Sequence, residues 1–550
     1  MGNKILIVGG VAGGASAAAR LRRLDENAEI VMFERGTYIS FANCGLPYYI
    51  GETIKDRSKL MVQTPENLKA RFNIDVRIKS DVIGVDTQAK KVRVNSADQG
   101  TYEESYDYLI LSPGAKPIKP PIPGIDSEFI FTVRNIPDTD RIKSYVDQAG
   151  TRSAIVIGGG FIGIEMAESL RERGLDVSLI EAAPHILAPF DSEMVAFAEK
   201  EMTDHGVKLV LGDGVDTFHD KEQGIEVSLK SGLQLSADLV ILAIGVTPDT
   251  EFIKNSGIEL GARGHIIVGE YMQTNSDGVY AVGDAVETTD LDGQRATVPL
   301  AGPANKQGRI AADNIYGLNT AYKGTQGTSI IKVFSLTGAS TGFNERTLQR
   351  MNIPYRTIYV HPNSHAGYYP GAKAIAIKLL FNNEGRILGA QAFGSEGVDK
   401  RIDVIATVLR LKGTVHDLAE LELAYAPPFS SAKDPVNMAG YLAENVLSGQ
   451  LDIFTVKDLE TLQPEEQILL DVRTVAEYEQ GHIDGAVLIP VDELRERMNE
   501  LDKDKEIYAY CGVGIRGYIA ARILTQHGFK VKNLTGGYRT YEMSKYSPKK

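Results

Sequence analysis

Residues 4–34 read KILIVGGVAGGASAAARLRRLDENAEIVMFE, and they decide the fold of the first half of the chain. An apolar run, KILIV, leads into a glycine turn. A segment of helical composition follows from Ala15 to Leu24, then a second apolar run at 29–34. That order predicts strand, helix, strand. Gly9, Gly10, Gly13 and Gly14, with Ala12 among them, stand where a tight turn brings backbone N–H groups to a pyrophosphate at a helix N-terminus. Glu34 lies 20 residues past Gly14, the distance at which an acid accepts hydrogen bonds from a ribose. Val11 occupies the place of the second glycine in GxGxxG, a departure from the pattern.

The pattern recurs at 153–181, SAIVIGGGFIGIEMAESLRERGLDVSLIE. Gly158, Gly160 and Gly163 fit the spacing around Phe161 and Ile162. Glu165 falls in the helix that follows, and Glu181 stands 18 residues past Gly163. Two such units in one chain are a duplication at domain scale. Ala182 and Ala183 follow Glu181 where an Arg would meet a 2′-phosphate, which favours NADH and leaves NADPH possible through a distant Arg. Two further buried strands break on glycine and proline, YDYLILSPGAKP at 106–117 and ADLVILAIGVTP at 237–248, and VYAVGDA ends a third at 279–285.

The whole chain has 550 residues, enough for three or four domains. With 59 Lys and Arg against 72 Asp and Glu, the net charge is −13. That suits a soluble protein and not one that coats nucleic acid. No apolar run is long enough for a membrane span, and the N-terminal run reads as a strand, not a signal segment. The expected location is the cytoplasm. There are only two cysteines, Cys44 and Cys511. They exclude a disulfide scaffold, a cysteine-built metal site and a local dithiol. They suggest a reducing compartment, or sulfurs kept for reactivity. No metal site is expected: His361 and His365 have Pro362 and Asn363 between them, which makes a loop.

On these motifs, residues 1–445 resemble the two-dinucleotide flavoproteins, the family of glutathione reductase, NADH peroxidase and coenzyme A-disulfide reductase. The resemblance implies an α/β, glutathione-reductase-like fold. FAD would lie in 1–117 with 251–323 and NAD(P)H in 118–250; an α+β dimerisation domain would fill 324–445. It also implies cofactor contacts at Arg35, Asn43, Ser112, Gly114, Gly245, Gly283, Asp284 and Ala301.

Cys44 lies in SFANCGLPYY (40–49). A bare lone cysteine is most often a small buried hydrophobe; Gly45 and Pro47 suit the opening of a helix, whose N-terminus favours a thiolate. The dithiol relatives carry CxxxxC beside the flavin, but position 49 here is Tyr49. Cys44 then has to work through a mixed disulfide, a persulfide or a sulfenic acid. The segment resembles that of the coenzyme A-disulfide reductases, whose cysteine pairs with coenzyme A. The resemblance carries coenzyme A contacts to Ser16, Arg20, Arg23, Ser40, Asn43, Arg71, Asn305 and Lys433. A basic patch on an acidic protein suits a ligand with three phosphates. It also implies a homodimer in which Tyr368 and Tyr425 reach the partner's cysteine, where a phenol can protonate a departing thiolate. A peroxidase or oxidase using a sulfenate is the alternative; such peroxidases carry a His where this chain has Ala12. A sulfur carrier or redox sensor with incidental turnover is another.

After a linker at 446–452, residues 453–550 resemble a rhodanese domain through DVRTVAEYEQGHIDGA (471–486), YCGVGIRG (510–517) and LTGGY (534–538). In Cys511-Gly-Val-Gly-Ile-Arg516 a glycine-rich loop can wrap N–H groups around one sulfur, with the helix that begins near Arg516 adding its positive end. Asp471, Arg473 and His482 read as structural. The expected activity is NADH-dependent, FAD-mediated reduction of sulfur bound to coenzyme A, with Cys511 handling sulfane sulfur.

Overall fold

The computed structural model describes residues 2–548. They cluster into two compact units. One runs to Ala182 and resumes at Gly212–Thr325; the other joins Ala183–Leu211 to the chain from Gln326 onward.

The first unit holds two parallel sheets. In one the order is Val279–Ala281, Tyr108–Leu111, Lys4–Val8, Glu29–Phe33, Asp75–Arg77. In the other, Asp176–Glu181, Ser153–Ile157, Leu239–Leu242 and Ile130–Phe131 lie side by side. The central strands are apolar throughout because both faces are covered. Ile5, Leu6 and Ile7 are fully buried, as are Leu109, Ile110 and Leu111. Each such side chain contributes about 1.5–3 kcal/mol by leaving water. The first helix spans Ala12–Leu24, three residues earlier than its composition suggests, because Gly13 and Gly14 lie inside its first turn.

The second unit is built on an antiparallel sheet ordered Ser329–Val333, Leu336–Gly342, Ile387–Gly394, Ala376–Phe381, Arg356–Val360. The helix Ser192–Asp204 packs on it. The helix Pro435–Leu447 runs almost to the C-terminal domain. That domain has a parallel sheet ordered Asp452–Phe454, Val531–Leu534, Glu506–Tyr510, Gln467–Asp471, Val487–Leu488. Among the described residues no helix is long and apolar enough to cross a membrane.

Candidate functional site

The two glycine loops have the same construction. Gly9 and Gly158 adopt φ of +95° and +108°, open to glycine and strained for other residues. A Cβ on Gly14 would stand 2.0 Å from the Gly9 carbonyl oxygen, and one on Gly163 would stand 1.9 Å from that of Gly158. Only glycine lets the helix approach its loop so closely. Val11 and Gly160 share an extended conformation, and a Cβ at Gly160 meets nothing within 4 Å. A side chain at this place of the loop is therefore compatible with the packing of the protein's own atoms. Both acids point back at their loops: Glu34 accepts from the N–H of Gly10 at 3.3 Å and of Gly36 at 2.8 Å, and Glu181 accepts from Gly159 at 2.6 Å. Phe161 and Ile162 open the second helix, and Gly245 adopts φ of +109° at the end of its sheet.

One cavity of about 980 Å³ runs along the first loop. Gly9, Gly10, Ala12, Gly13, Glu34 and Arg35 form one stretch of its wall. Ser112, Gly114, Gly283, Asp284 and Ala301 form another. The same cavity reaches Cys44 and continues to Ser16, Arg23, Ser40, Asn43 and Asn305. Ser16 and Asn305 are hydrogen-bonded to each other. Of the basic residues expected to hold coenzyme A, only Arg23 is on its wall; Arg20, Arg71 and Lys433 are not. Arg20 is held by Asp313 at 2.6 Å, and Arg71 is exposed on the helix Pro65–Phe72. The i,i+3 spacing of Arg20 and Arg23 put them on one helix face, but it carried no sign that Asp313 would take one of them.

Cys44 sits in the turn Asn43–Gly45, just before the helix Leu46–Ile50. Cys44 is exposed on the cavity wall, yet partial desolvation there pushes its thiol up, and the charges of Glu165 and Asp284 push it the same way. A five-residue helix does not reverse that. Glu165 is itself unusual: burial raises its carboxyl to about 7, against the Tyr48 hydroxyl that donates to it at 3.2 Å. Burial also raises Asp284, with Arg134 opposing.

In the second unit, the Tyr368 and Tyr425 hydroxyls are 2.8 Å apart and both side chains are exposed. Arg401 ties their loops together, donating to Ser364 O at 2.9 Å, to Ser430 Oγ at 3.1 Å and to Asp434 at 3.0 Å. Lys433 is exposed beside Asp434. Cys511 is buried at the end of the strand Glu506–Tyr510, and its Sγ accepts from the Gly514 N–H at 3.1 Å. Arg516, near the start of the helix Ile515–Gln526, makes a two-pronged pair with Glu477 at 2.7 and 2.5 Å. That guanidinium holds the Glu477 carboxyl at about 2. Asp471 and Arg473 form a buried ion pair at 2.7 Å.

The pattern of the pyridine nucleotide-disulphide oxidoreductases matches residues 3–308, and that of their dimerisation domain matches residues 328–435. The chain belongs to this family. A rhodanese-like domain matches residues 455–544. The chain is similar to the reduced CoADR-RHD of Bacillus anthracis, with 52% identity, a TM-score of 0.97, and coverage of 99% of this chain and 98% of that one. The NAD-dependent persulfide reductase of A. fulgidus is 36% identical, with a TM-score of 0.92 over 98% of this chain and 100% of that one. The coenzyme A disulfide reductase of Staphylococcus haemolyticus is 38% identical over 447 residues, 80% of this chain and 100% of the relative.

This oxidoreductase therefore has the coenzyme A disulfide reductase–rhodanese architecture, and its family carries FAD and uses NAD(P)H. The first cavity fits FAD: the glycine loop and Glu34 supply the dinucleotide end. Asn43 Oδ1 is buried there without a partner among the described residues. Sequence reasoning missed Arg134, a cation on the cavity wall beside Asp284 and Asp249; no spacing rule marks it. It also missed Lys378, Asp191, Glu193 and Glu345, a buried cluster in the second unit. There a signal existed, since Lys378 interrupts the otherwise apolar AIAIKLLF.

Proposed function

We propose that this chain uses NADH to reduce sulfur–sulfur bonds on coenzyme A, through the single sulfur of Cys44, and that Cys511 carries sulfane sulfur to or from coenzyme A. The observation that carries the reading is the one cavity that joins the dinucleotide loop, Cys44 and the polar mouth at Ser16, Arg23 and Asn305. FAD, when bound, supplies the electrons taken from NADH. Cys44 attacks the sulfur–sulfur bond, forming a mixed disulfide and expelling a thiolate. Arg23 and the Ser16–Asn305 pair hold the phosphate-bearing end of the substrate. Tyr368 and Tyr425 of a partner subunit assist the departing thiolate.

The absence of an Arg after Glu181 supports NADH over NADPH. The fused rhodanese favours a persulfide or polysulfide as the main substrate, because plain coenzyme A disulfide needs no sulfane carrier. Anaerobic NADH oxidation, measured in parallel with coenzyme A disulfide, coenzyme A persulfide, polysulfide and hydrogen peroxide, tests the reading. The sulfur substrates should outpace peroxide. Faster turnover with peroxide would replace the reading with a sulfenate peroxidase. Cys511→Ser should spare coenzyme A persulfide reduction and impair use of polysulfide; equal loss with both removes the sulfane-carrier role.

A further inference from the structure

The rhodanese loop is not braced by its own domain alone. Carbonyls of Cys511 and Gly512 accept from the N–H groups of Tyr538 at 2.7 Å and Arg539 at 3.0 Å. A trans peptide points its N–H opposite to its C=O. Anchoring these two carbonyls on one side therefore aims the N–H groups of Gly512 and Val513 away from that side, where a persulfide sulfur on Cys511 would need donors. The anchor, residues 535–539, thus sets the aim of the loop.

The anchor itself rests on the oxidoreductase portion of the chain. Thr535 is buried, and its Oγ1 accepts from the backbone N–H of Tyr359 at 2.8 Å and lies 3.4 Å from the Tyr359 carbonyl. Tyr359 is on the strand Arg356–Val360, an edge of the antiparallel sheet. Edge groups need partners outside the sheet, and the threonine hydroxyl is that partner. Gly536 and Gly537 follow with φ of +78° and +61°. A Cβ on Gly536 would stand 2.7 Å from the Tyr359 Cβ, and one on Gly537 would stand 2.4 Å from the Cys511 carbonyl oxygen. One glycine turn is thus sandwiched between the sulfur loop and Tyr359. The tyrosine is fixed in turn, its hydroxyl donating to Glu193 at 2.7 Å.

We propose that the sulfurtransferase loop is seated by the dimerisation sheet, with Tyr359 and Thr535 as positioning residues that act through the Gly536–Gly537 turn on the N–H groups around Cys511. The proposal rests on the reading of Cys511 as a sulfane carrier. In that step the Cys511 thiolate attacks the outer sulfur of a persulfide R–S–SH, forming Cys511–S–SH and releasing R–S⁻. The seat alters how well the loop holds the transferred sulfur, not how the donor binds.

The test uses the full-length holoenzyme. Thr535→Val keeps the volume and removes both contacts to Tyr359; Thr535→Ser keeps the hydroxyl. Sulfane transfer from polysulfide to cyanide reports on the loop, and NADH-dependent coenzyme A disulfide reduction reports on the rest. Thr535→Val should lower kcat for sulfane transfer by on the order of 10- to 100-fold with KM unchanged, as misaiming of a site from a distance does. Thr535→Ser should restore it, and reduction should be unaffected in both. Wild-type sulfane transfer in Thr535→Val overturns the seat, as does an equal loss in Thr535→Val and Thr535→Ser, or a loss of reduction alongside. Cys511→Ser separates the two claims. If it abolishes sulfane transfer while Thr535→Val does not, only the seat fails. If it leaves transfer intact, the carrier reading fails and the seat with it.

Discussion

Cys44 is surrounded by acid, not base. Its thiol is raised by partial desolvation first and by Glu165 and Asp284 next. Removing the Glu165 charge should therefore lower the pH at which Cys44 becomes nucleophilic. Glu165→Gln should shift the midpoint of Cys44 alkylation to lower pH, measured by mass spectrometry on the NADH-reduced Cys511→Ser background. In wild type the same relief should appear below about pH 7, where Glu165 takes up its proton. An upward or null shift would mean that the glutamate does not act on the sulfur. The glycines, Glu34 and Glu181 were legible in the sequence because each carries a spacing that backbone chemistry demands, whereas Cys44 stood out only through the resemblance of its segment. Tyr48 and Arg134 were not legible, since a hydrogen bond from a neighbouring helix or a cation on a cavity wall obeys no spacing along the chain.

At the scale of elements, the second unit has a charged core. The strand Ala376–Phe381, the helix Ser192–Asp204 and the helix Glu345–Arg350 meet there. The Lys378 ammonium lies 2.7 Å from Asp191, 3.1 Å from Glu345 and against Glu193. Lys457 of the rhodanese domain reaches Glu345 at 2.6 Å. Burial works against ionised Glu193, yet Lys378 outweighs it and holds the carboxyl at about 2. An unfolded glutamate titrates at about 4.3. The folded value is the lower one, so this contribution is complete above about pH 4.3 and is lost as pH falls toward 2. Lys378→Met leaves the carboxylates without their central cation and should destabilise the protein by about 3–5 kcal/mol, read from urea midpoints. The loss at pH 7 should shrink as the pH is taken toward 3. Only the α+β character of this region was expected from the sequence; this cluster draws on residues more than 180 positions apart (Asp191 and Lys378) and leaves only one odd lysine as a trace.

For the whole molecule, the proposed site is complete only across a dimer, so two defective chains should repair one another. Cys44→Ser lacks the sulfur and keeps the tyrosines; a Tyr368→Phe, Tyr425→Phe chain keeps the sulfur and lacks the phenols. Denatured together and refolded with FAD, they should recover roughly a quarter of wild-type turnover, since half of randomly paired dimers are mixed and each holds one intact site. No recovery would place the tyrosines on their own subunit's sulfur, and wild-type turnover in the Tyr368→Phe, Tyr425→Phe chain alone would place them outside the reaction. The duplication was legible as a repeated motif and the fused rhodanese through the resemblance of three of its stretches, but the grouping of Ala183–Leu211 with the second unit was not. That grouping bears on domain grafting. The helix Ser192–Asp204 packs on the helix Gly537–Ser544 and on the strand Ile387–Gly394. Lifting out residues 118–250 as a cassette would strip the helix Ser192–Asp204 of these contacts. A transplant that alters coenzyme preference should exchange only the loop and its acid, from Gly158 to Glu181, and leave the helix Ser192–Asp204 with the partners it already has.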